Sequence, residues 1–395
     1  MAERFDVAVV GAGPAGSLCA YLLSRGGASV VLLDRAKFPR DKPCGGGLTA
    51  RATRLLPFPV TPVVEVPVQR FEIRMAYGES VRRRTRDPLV FMTQRRCLDA
   101  YLAERAAEAG ADFRDGTRVD ALERDNGGMR VGIPKGSIHA GMVVGADGAN
   151  GVSARALGLG GVIDHGVALE GNLPYDEIDA ARYGGSAVIE IGTVPGGYGW
   201  IFPKADHVNF GVGGWEVEGP NLRRHLERLC REHAVPVERL RNLRGHRLPT
   251  RRPGAPLAAE RAMLVGDAAG LVDPWTGDGM FEAFASARHA ADAVADVLHG
   301  RQTSLAPYEA ALGRHLDRGT ALAWDVKTLF ERVPNLFFAV ARTGPGWRLV
   351  ERFIRRHRDG SERLSLRGRA AVAGLTAVSR ALDSPGYGFW RARAG

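Results

Sequence analysis

A chain of 395 residues with 45% hydrophobic and 25% charged residues has the composition of a globular protein, long enough for two domains with large cores. A net charge of +10 suits nucleic acid, an anionic membrane surface or an anionic substrate, although an arginine-rich composition would give the same charge without any such partner. No stretch approaches the roughly 18 apolar residues that a transmembrane helix needs, so any membrane contact is expected to be peripheral.

Cysteine usage and the start of the chain favour a reducing compartment. The four cysteines include no CxxC pair and have no metal-ligand spacing, so the sequence predicts neither a disulfide framework nor a metal site. A strand pattern begins almost at once, without the charged and apolar regions of a signal peptide. We therefore expect a cytoplasmic protein.

The first elements have the pattern of a βαβ unit. Residues 5–10 are a valine-rich run typical of a buried strand, residues 14–25 are helical in pattern, and residues 29–34 are a second buried strand. The glycine-rich sequence GAGPAG joins the first strand to the helix. This arrangement predicts a dinucleotide-binding site with phosphate at the helix N-terminus.

Each glycine of this turn has a separate expected task. Gly11, Gly13 and Gly16 would allow a tight turn, close approach of the backbone to a pyrophosphate, and close packing of helix on strand. Asp34, at the end of the second strand, is placed to accept hydrogen bonds from a ribose. The unit alone does not distinguish NAD from FAD.

A loop is predicted after Asp34, because Pro39, Pro43 and three glycines at 45–47 exclude regular structure. Such a loop can reach over a bound dinucleotide. Cys44 lies in its middle; an isolated cysteine is usually a small buried hydrophobe, but the neighbouring glycines would let the backbone lie flat against a planar ring.

Strands are predicted from about residue 62 to 92, with a solvated edge at Arg82–Arg86, and a helix from 93 to 109. Arg95 and Arg96 lie in the first turn of that helix, where the dipole disfavours a cation. A negatively charged cofactor would explain a cation at this position.

A second domain is predicted where the βαβ rhythm stops. After a buried strand and glycine turn at 140–148, short strands separated by glycines run from 165 to 214. Tyr198, Trp200 and Phe202 alternate along one of them and should share a face. Core packing and an aromatic-lined pocket for a large apolar substrate are both consistent with this pattern.

The last third of the chain begins with an amphipathic helix at 221–233 and returns to a buried strand and glycine turn at 263–270. A helix follows at 280–299, and residues 305–395 are predicted to be mainly helical. The segment 346–358 sets Leu349, Phe353 and Ile354 against arginines, a pattern that suits a membrane surface and an ordinary docked helix equally.

Three glycine motifs stand in a fixed order, GAGPAG at 11–16, GADG at 145–148 and GDAAG at 266–270. Over about the first 300 residues this order resembles the superfamily of FAD-dependent aromatic hydroxylases and related oxidoreductases. Within it, the sequences KPCGGGL, GYGWIFPK and GDAAGLVDPWTGDGM resemble the geranylgeranyl reductase family. Hydroxylases usually carry a histidine where this chain has Gly270, and the tryptophan-containing signature of flavin halogenases is missing from the sequence.

The resemblance implies an α/β fold, in which a Rossmann-type FAD-binding domain of the glutathione-reductase-like and aromatic-hydroxylase-like kind is interleaved with an antiparallel β-sheet substrate domain and followed by C-terminal helices. The implied boundaries are 1–62, 93–160 and 255–302 for the FAD-binding domain, 63–92 and 161–254 for the substrate domain, and 303–395 for the helical region.

The resemblance also implies which residues contact FAD, with Arg96 as the alternative to Arg95. The expected set is Gly11, Gly13, Ala15, Gly16, Asp34, Arg35, Cys44, Gly45, Gly47, Arg95, Val119, Asp267, Gly279 and Met280. Cys44, Tyr198 and Trp200 are the expected catalytic residues.

The activity implied is that of an FAD-dependent oxidoreductase acting on CH–CH groups, which saturates isolated C=C bonds of a geranylgeranyl-type chain. An isolated double bond is not electrophilic, so a proton must arrive before or with the hydride and leave positive charge on the tertiary carbon. Aromatic faces stabilise such charge by about 0.5 to 2 kcal/mol each. Cys44, Tyr198 and Asp278 are possible proton donors that the sequence does not rank.

Two other classes remain open at this stage. A monooxygenase on the same fold would use NADPH and oxygen to hydroxylate a small or lipophilic substrate, although Gly270 and KPCGGGL argue against it. A flavin-bearing docking protein without activity is supported only by the basic C-terminal region.

The expected partners follow from the implied activity. They are a prenylated lipid, quinone or pigment as substrate, NADPH or another reductant as the electron source, and the inner face of a membrane as a peripheral contact. We expect no nucleic-acid partner.

Overall fold

A computed structural model describes residues 3–161, 163–251 and 254–355 of the chain. Within these ranges the strands form three sheets. In chain order they are β1 (Arg4–Val10), β2 (Val30–Leu33), β3 (Gly47–Thr49), β4 (Val66–Val68), β5 (Arg70–Met75), β6 (Ser80–Arg84), β7 (Val90–Met92), β8 (Asp112–Arg114), β9 (Ala121–Asp125), β10 (Gly128–Ile133), β11 (Gly136–Gly145), β12 (Ile163–Pro174), β13 (Ser186–Ile191), β14 (Tyr198–Pro203), β15 (His207–Trp215), β16 (Arg241–Arg251) and β17 (Ala262–Leu264).

Helices cover one face of the first sheet and form the end of the described chain. They are α1 (Pro14–Arg25), α2 (Ala50–Thr53), α3 (Arg95–Glu108), α4 (Ser153–Leu157), α5 (Ala180–Tyr183), α6 (Leu222–Glu232), α7 (Met280–Leu298), α8 (Pro307–Arg332), α9 (Pro334–Arg342) and α10 (Gly344–Arg355).

The first sheet has the strand order β8-β2-β1-β11-β10-β9, with β17 also paired to β11. The pairs β1–β2, β2–β8, β1–β11 and β11–β17 are parallel, as expected of a doubly wound unit, whereas β9, β10 and the start of β11 run antiparallel. Helix α1 packs against both α3 and α7 on this sheet. The predicted βαβ unit is confirmed.

Helix α1 begins at Pro14, whose missing N–H costs nothing at the first helical position, and ends before Gly26. Its apolar side chains Leu18 and Leu23 are buried against the sheet. These signals lie in adjacent residues, and the predicted bounds of this helix, 14–25, agree with the structure.

The second sheet has the order β16-β12-β15-β14-β13-β5-β6. It is antiparallel except for the parallel pair β5–β13. At this pair the β5–β6 hairpin, from an earlier part of the chain, joins the sheet. Helix α6 buries Leu226, Leu229 and Cys230 against one face of this sheet. The opposite face is left for the site.

The arginine cluster predicted to be a solvated edge begins in the outer strand β6 and ends two residues beyond it. Arg82, Arg84 and Arg86 are exposed, as predicted, but the guanidinium of Arg83 donates hydrogen bonds to the carbonyl oxygens of Ala341 and Arg342 at the end of α9. The edge of the sheet is thereby tied to the C-terminal helices.

Helix α10 docks on the second sheet through Trp347, whose ring centroid lies 5.7 Å from that of Phe71. Val350 and Ile354 pack beside it, whereas Leu349 is 59% exposed. The predicted amphipathic segment 346–358 therefore corresponds to α10 as far as Arg355, and its last three residues lie outside the described part of the chain. Within the described ranges, none of the helices has the length and hydropathy required to span a bilayer.

Candidate active site

A cavity of about 1060 Å³ lies where the carboxyl ends of the parallel strands face the second sheet. This volume is at the upper end of the range of about 300 to 1,000 Å³ that is usual for ligand pockets. The cavity wall includes Asp34 and Val119 at the first sheet, Asp267 and Cys44 in loops, and Tyr198 at the second sheet.

The GAGPAG turn brings the N-terminus of α1 to the cavity. Gly11 has φ of +104°, and a Cβ at this residue would lie 2.4 Å from the carbonyl oxygen of Ala146. Gly16 lies behind the cavity wall, since its Cβ would be 1.8 Å from the carbonyl oxygen of Gly11. At Gly13, on the wall, the nearest atom to a Cβ would be Nη2 of Arg40 at 3.6 Å. Among the described residues no side chain caps α1, so its first N–H groups are available to an anion.

Asp34 is held at the cavity wall by backbone contacts. Its Oδ2 accepts the N–H of Ala12 and its Oδ1 accepts the N–H of Ala36, both at 2.9 Å. Nearby, Arg35 is exposed at the cavity rim, and Val119 is a core residue that also lines the wall. These placements suit a nucleoside end of the ligand.

Arg95, and not Arg96, faces the cavity, because Arg95 is buried on the wall and Arg96 is exposed. Arg95 makes a bidentate ion pair with Asp99, with Nε–Oδ1 and Nη2–Oδ2 distances of 2.8 and 2.7 Å. Nη1 of Arg40 lies 3.0 Å from the same Oδ2. Burial alone would lower the pKa of Arg95, but Asp99 raises it above its ordinary value. Asp99 was not predicted as the partner of this cation, although it lies four residues after Arg95 on the same helix.

Asp267 carries a negative charge in the middle of the cavity. Nζ of Lys42 donates to its Oδ2 at 2.9 Å, and Nε2 of His246 lies 3.8 Å away. Burial alone would raise the pKa of this carboxyl, but Lys42 and His246 hold it well below its usual range. The adjacent Gly266 lets this turn approach Ala15 of α1, since a Cβ at Gly266 would lie 3.0 Å from that of Ala15.

The start of α7 forms the next part of the wall, with Gly279 and Met280 lining the cavity. Asp278 accepts the N–H of Met280 at 2.9 Å through Oδ1, and its Oδ2 lies 3.4 Å from Nη2 of Arg51. Both oxygens of Asp278 are thus engaged, one by the start of α7 and the other by Arg51.

The loop around Cys44 is fixed to the second sheet by hydrogen bonds to two charged side chains, Glu170 and Lys204. The N–H of Cys44 donates to Oε1 of Glu170 at 2.7 Å. Nζ of Lys204 donates to the carbonyl oxygens of Gly45 and Thr93 at 2.6 and 3.0 Å. Burial lowers the pKa of Lys204 to about 8. Neither Glu170 nor Lys204 was predicted, because both partners lie far away in sequence.

The glycine run brings the loop backbone against aromatic rings. A Cβ at Gly45 would lie 2.9 Å from the ring of Phe202 and 3.3 Å from Nε1 of Trp200. Gly47 belongs to β3, where a Cβ would lie 2.9 Å from Cγ1 of Val90. At Gly45 the loop therefore contacts the rings of the second sheet directly.

The predicted shared face of Tyr198, Trp200 and Phe202 is confirmed. The ring centroids of Tyr198 and Trp200 are 6.1 Å apart, and those of Trp200 and Phe202 are 6.2 Å apart. All three side chains line the cavity. The hydroxyl of Tyr198 donates to the carbonyl oxygen of Thr276 at 2.5 Å, and burial raises the pKa of Tyr198.

Beyond the aromatic side chains the cavity becomes apolar. Strands β5 and β13 and helices α8–α10 line this end with Phe71, Ile73, Ala187, Ile189, Ile191, Phe330, Phe337, Val340, Trp347, Val350 and Ile354. The cavity thus joins a polar end, with a helix N-terminus and fixed charges, to an apolar end.

The polar end fits FAD. The Gly11 turn brings the N-terminus of α1 to the cavity wall, and the Gly266 turn packs against Ala15 of that helix. Gly13 leaves space there for an approaching group, and Asp34 and Asp267 are held as acceptors.

Comparison with known proteins agrees with this assignment. A model of the FAD binding domain matches residues 4–173. The chain is 30% identical over 357 residues to the chloroplastic geranylgeranyl diphosphate reductase of Oryza sativa subsp. japonica, covering 85% of this chain and 76% of that protein. It is 32% identical over 315 residues to the menaquinone reductase of Mycolicibacterium smegmatis, covering 74% and 76%.

A solved structure shares the fold. It is a geranylgeranyl bacteriochlorophyll reductase-like protein from Thermoplasma acidophilum, with a TM-score of 0.76 and 22% identity, covering 97% of this chain and 100% of that chain. The fold and site thus define an FAD-dependent oxidoreductase acting on CH–CH groups. The chain belongs to the geranylgeranyl reductase family.

Proposed function

We propose that the protein saturates isolated C=C bonds of a prenyl chain carried by a lipid, quinone or pigment. The observation that supports this function is the continuity of one cavity, from the FAD-binding turns through the aromatic side chains to the apolar end. An extended hydrocarbon can lie against β5, β13 and the C-terminal helices while one of its double bonds reaches the aromatic side chains. The names of the relatives, which refer to prenylated diphosphate and menaquinone, agree with such a substrate.

The side chains of the second sheet would stabilise the charge that develops during reduction. Tyr198 and Trp200 present aromatic faces, each of which stabilises a nearby cation by about 0.5 to 2 kcal/mol. Bound FAD in its reduced form supplies the hydride. The remaining residues proposed to contact FAD are those that line the polar end, with Gly16 supporting the turn from behind.

The proton must come from another group. Three donors were considered from sequence. The Tyr198 hydroxyl already donates to Thr276, the carboxylate oxygens of Asp278 contact Met280 and Arg51, and the thiol of Cys44 is the third candidate. If Cys44→Ser kept full turnover of a prenyl substrate, the thiol would have no chemical role.

The function is tested by reducing the purified flavoprotein anaerobically with dithionite and adding a panel of prenyl lipids, prenylated quinones and prenyl diphosphates. We expect flavin reoxidation together with a gain of two hydrogens in the product by mass spectrometry. Reoxidation by oxygen coupled to hydroxylation of the substrate, without saturation, would instead establish the monooxygenase. The physiological reductant, NADPH or another donor, is identified by which of them re-reduces the flavin.

A further inference from the structure

Glu170 lies on β12 in the same cross-strand row as the central aromatic residue of the cavity. Glu170 pairs with Gly211 of β15, and Gly211 pairs with Trp200 of β14. Directly opposed residues of paired strands point to the same side of a sheet. A Cβ at Gly211 would lie 2.1 Å from Cζ2 of Trp200, so the indole ring extends over this glycine toward Glu170.

The carboxyl of Glu170 is oriented by the loop that carries Cys44. Oε1 accepts the Cys44 N–H at 2.7 Å, and the side chain lines the cavity. The register between β12 and β16 also shifts between Glu170 and Asn172. Such bulges often occur beside active sites, where they change the direction of a side chain.

Charged residues of the Cys44 loop, of the wall beside that loop and of β16 surround Glu170. Lys204 and Arg95 are cations on the loop side, Asp41 is an anion of the same loop, and Arg244 is the residue paired with Glu170 on β16. Nη1 of Arg244 lies 2.9 Å from Oδ2 of Asp41, and both side chains are about half exposed. Burial, which outweighs the Cys44 N–H and Lys204, raises the pKa of Glu170 to about 7. A general acid works best with a pKa near the operating pH.

Glu190 provides a contrast within the same sheet. It is fully buried on β13, accepts the N–H of Tyr77 at 2.6 Å and pairs with Arg74 at 3.2 Å. Its sequence neighbours Ile189 and Ile191 line the cavity, and Glu190 points to the opposite face. The sheet thus carries one hydrogen-bonded glutamate inside the cavity, the partly buried Glu170, and one outside it, the fully buried Glu190.

We propose that Glu170, and not the Cys44 thiol, is the acid that protonates the alkene, an assignment that rests on the proposed prenyl reduction. The O–H bond of its carboxyl breaks, a C–H bond forms on one alkene carbon, and positive charge remains on the tertiary carbon beside Trp200. Hydride from reduced FAD forms the second C–H bond, and a two-electron donor, a nicotinamide or another reductant, restores the cofactor. The carboxylate regains its proton from water at the half-exposed end of the row, where Arg244 pairs with Asp41 of the loop.

The test compares Glu170→Gln with Glu190→Gln in the flavin-loaded protein. In anaerobic single turnovers with a prenyl lipid that the wild type reduces, we expect Glu170→Gln to lose at least about 100-fold in rate. Glu190→Gln, with equal flavin content, should remain within about threefold of wild type. The wild-type rate should fall as pH rises through about 7, because the carboxyl must be protonated, and Glu170→Asp should keep that pH dependence.

Infrared difference spectra give a readout that does not depend on turnover. Between pH 5 and pH 9 the oxidised wild type should lose a protonated-carboxyl band with a midpoint near 7, and Glu170→Gln should lack this band. A Glu170→Gln rate within threefold of wild type, or a wild-type rate without loss above neutral pH, would overturn the assignment. Failure of the wild type itself to reduce any prenyl substrate would overturn the proposed function instead.

Discussion

The indole N–H of Trp200 donates a hydrogen bond of 2.8 Å to Oδ1 of Asn209, which is 2% exposed on the neighbouring strand. Nδ2 of Asn209 in turn donates to Oδ1 of Asn172 at 2.9 Å. This chain of amides holds the ring in one orientation.

Replacing Asn209 by alanine should leave the buried indole N–H without its acceptor. We expect the free energy of unfolding to fall by about 1 to 3 kcal/mol, measured by urea unfolding of the flavin-loaded protein. Asn221→Ala, which removes an amide bonded to Glu218, is the control and should cost less. Equal losses in the two variants would contradict the role assigned to the Trp200 bond.

Gly211→Ala tests whether the position of the Trp200 ring matters for turnover. The new methyl group would lie 2.1 Å from Cζ2 of Trp200, so the ring must move. We expect a rate loss of tenfold or more with normal flavin content. In the same sheet, a Cβ at Gly245 would lie 3.5 Å from the nearest atom, so Gly245→Ala should retain activity. A fully active Gly211→Ala enzyme would remove the requirement for a fixed ring.

Gly13→Ala separates cofactor binding from folding. A Cβ at Gly13 has no atom closer than 3.6 Å, so the fold should accept it, but the methyl group would occupy the cavity wall. We expect FAD affinity to fall at least tenfold, equivalent to about 1.4 kcal/mol, by titration of flavin fluorescence. Gly16→Ala, with its Cβ 1.8 Å from a carbonyl oxygen, should instead lower the yield of folded protein. Unchanged FAD affinity in Gly13→Ala would show that the ligand does not approach this residue.

His233 should make stability depend on acid pH. Burial lowers its pKa to about 4 from 6.5, and the neutral ring is bonded through Nδ1 to the Tyr183 hydroxyl at 3.0 Å. The unfolded chain therefore binds a proton first, and stability that is complete above about 6.5 is lost as pH falls toward 4. The loss is on the order of 3 kcal/mol. His233→Gln should flatten the dependence in urea unfolding, whereas exposed His299→Gln should preserve it. If the pH dependence of the unfolding free energy were unchanged in His233→Gln, His233 would not be the cause of the loss of stability at acid pH.

Contact with an anionic membrane, which we propose for α10, is tested with vesicles. Leu349 is 59% exposed beside Arg348 and Arg352, and each basic residue near anionic headgroups contributes about 1 kcal/mol. Arg348→Glu combined with Arg352→Glu should lower binding to phosphatidylserine vesicles at least about tenfold. The same double change at Arg124 and Arg130, on the β9–β10 hairpin, is the control. Binding that is insensitive to salt and to the α10 changes would exclude this surface.

Local signals in the sequence predicted the cofactor end of the molecule well. The turn at Gly11, the bounds of α1 and the shared face of Tyr198 and Trp200 each depend on residues close together in the chain, so spacing alone predicts them. The βαβ unit alone predicted a dinucleotide, and the order of the three glycine turns identified that dinucleotide as FAD.

Contacts that depend on strand register were not predictable in the same way. Glu170 and Trp200 are separated by 30 positions and meet only because β15 lies between their strands with a glycine at the shared row. Arg95 was predicted to need an anion, and its partner Asp99 lies four residues further along α3, a helical spacing that the sequence does show. The contact of Arg40 with the same carboxylate depends instead on how the loop after β2 folds back. Single-sequence patterns carry no information on that loop or on the register between strands.

The helices that close the apolar end follow, along the chain, every glycine turn that fits the cofactor. The glycine turns that fit the cofactor all come before residue 281, whereas Phe330, Phe337 and Trp347 close the apolar end from helices that follow. Changes in these bulky side chains would therefore alter the depth of the apolar end and leave the flavin turns intact. Relatives could diverge in the length of hydrocarbon they accept through this last part of the sequence, while the redox centre stays the same.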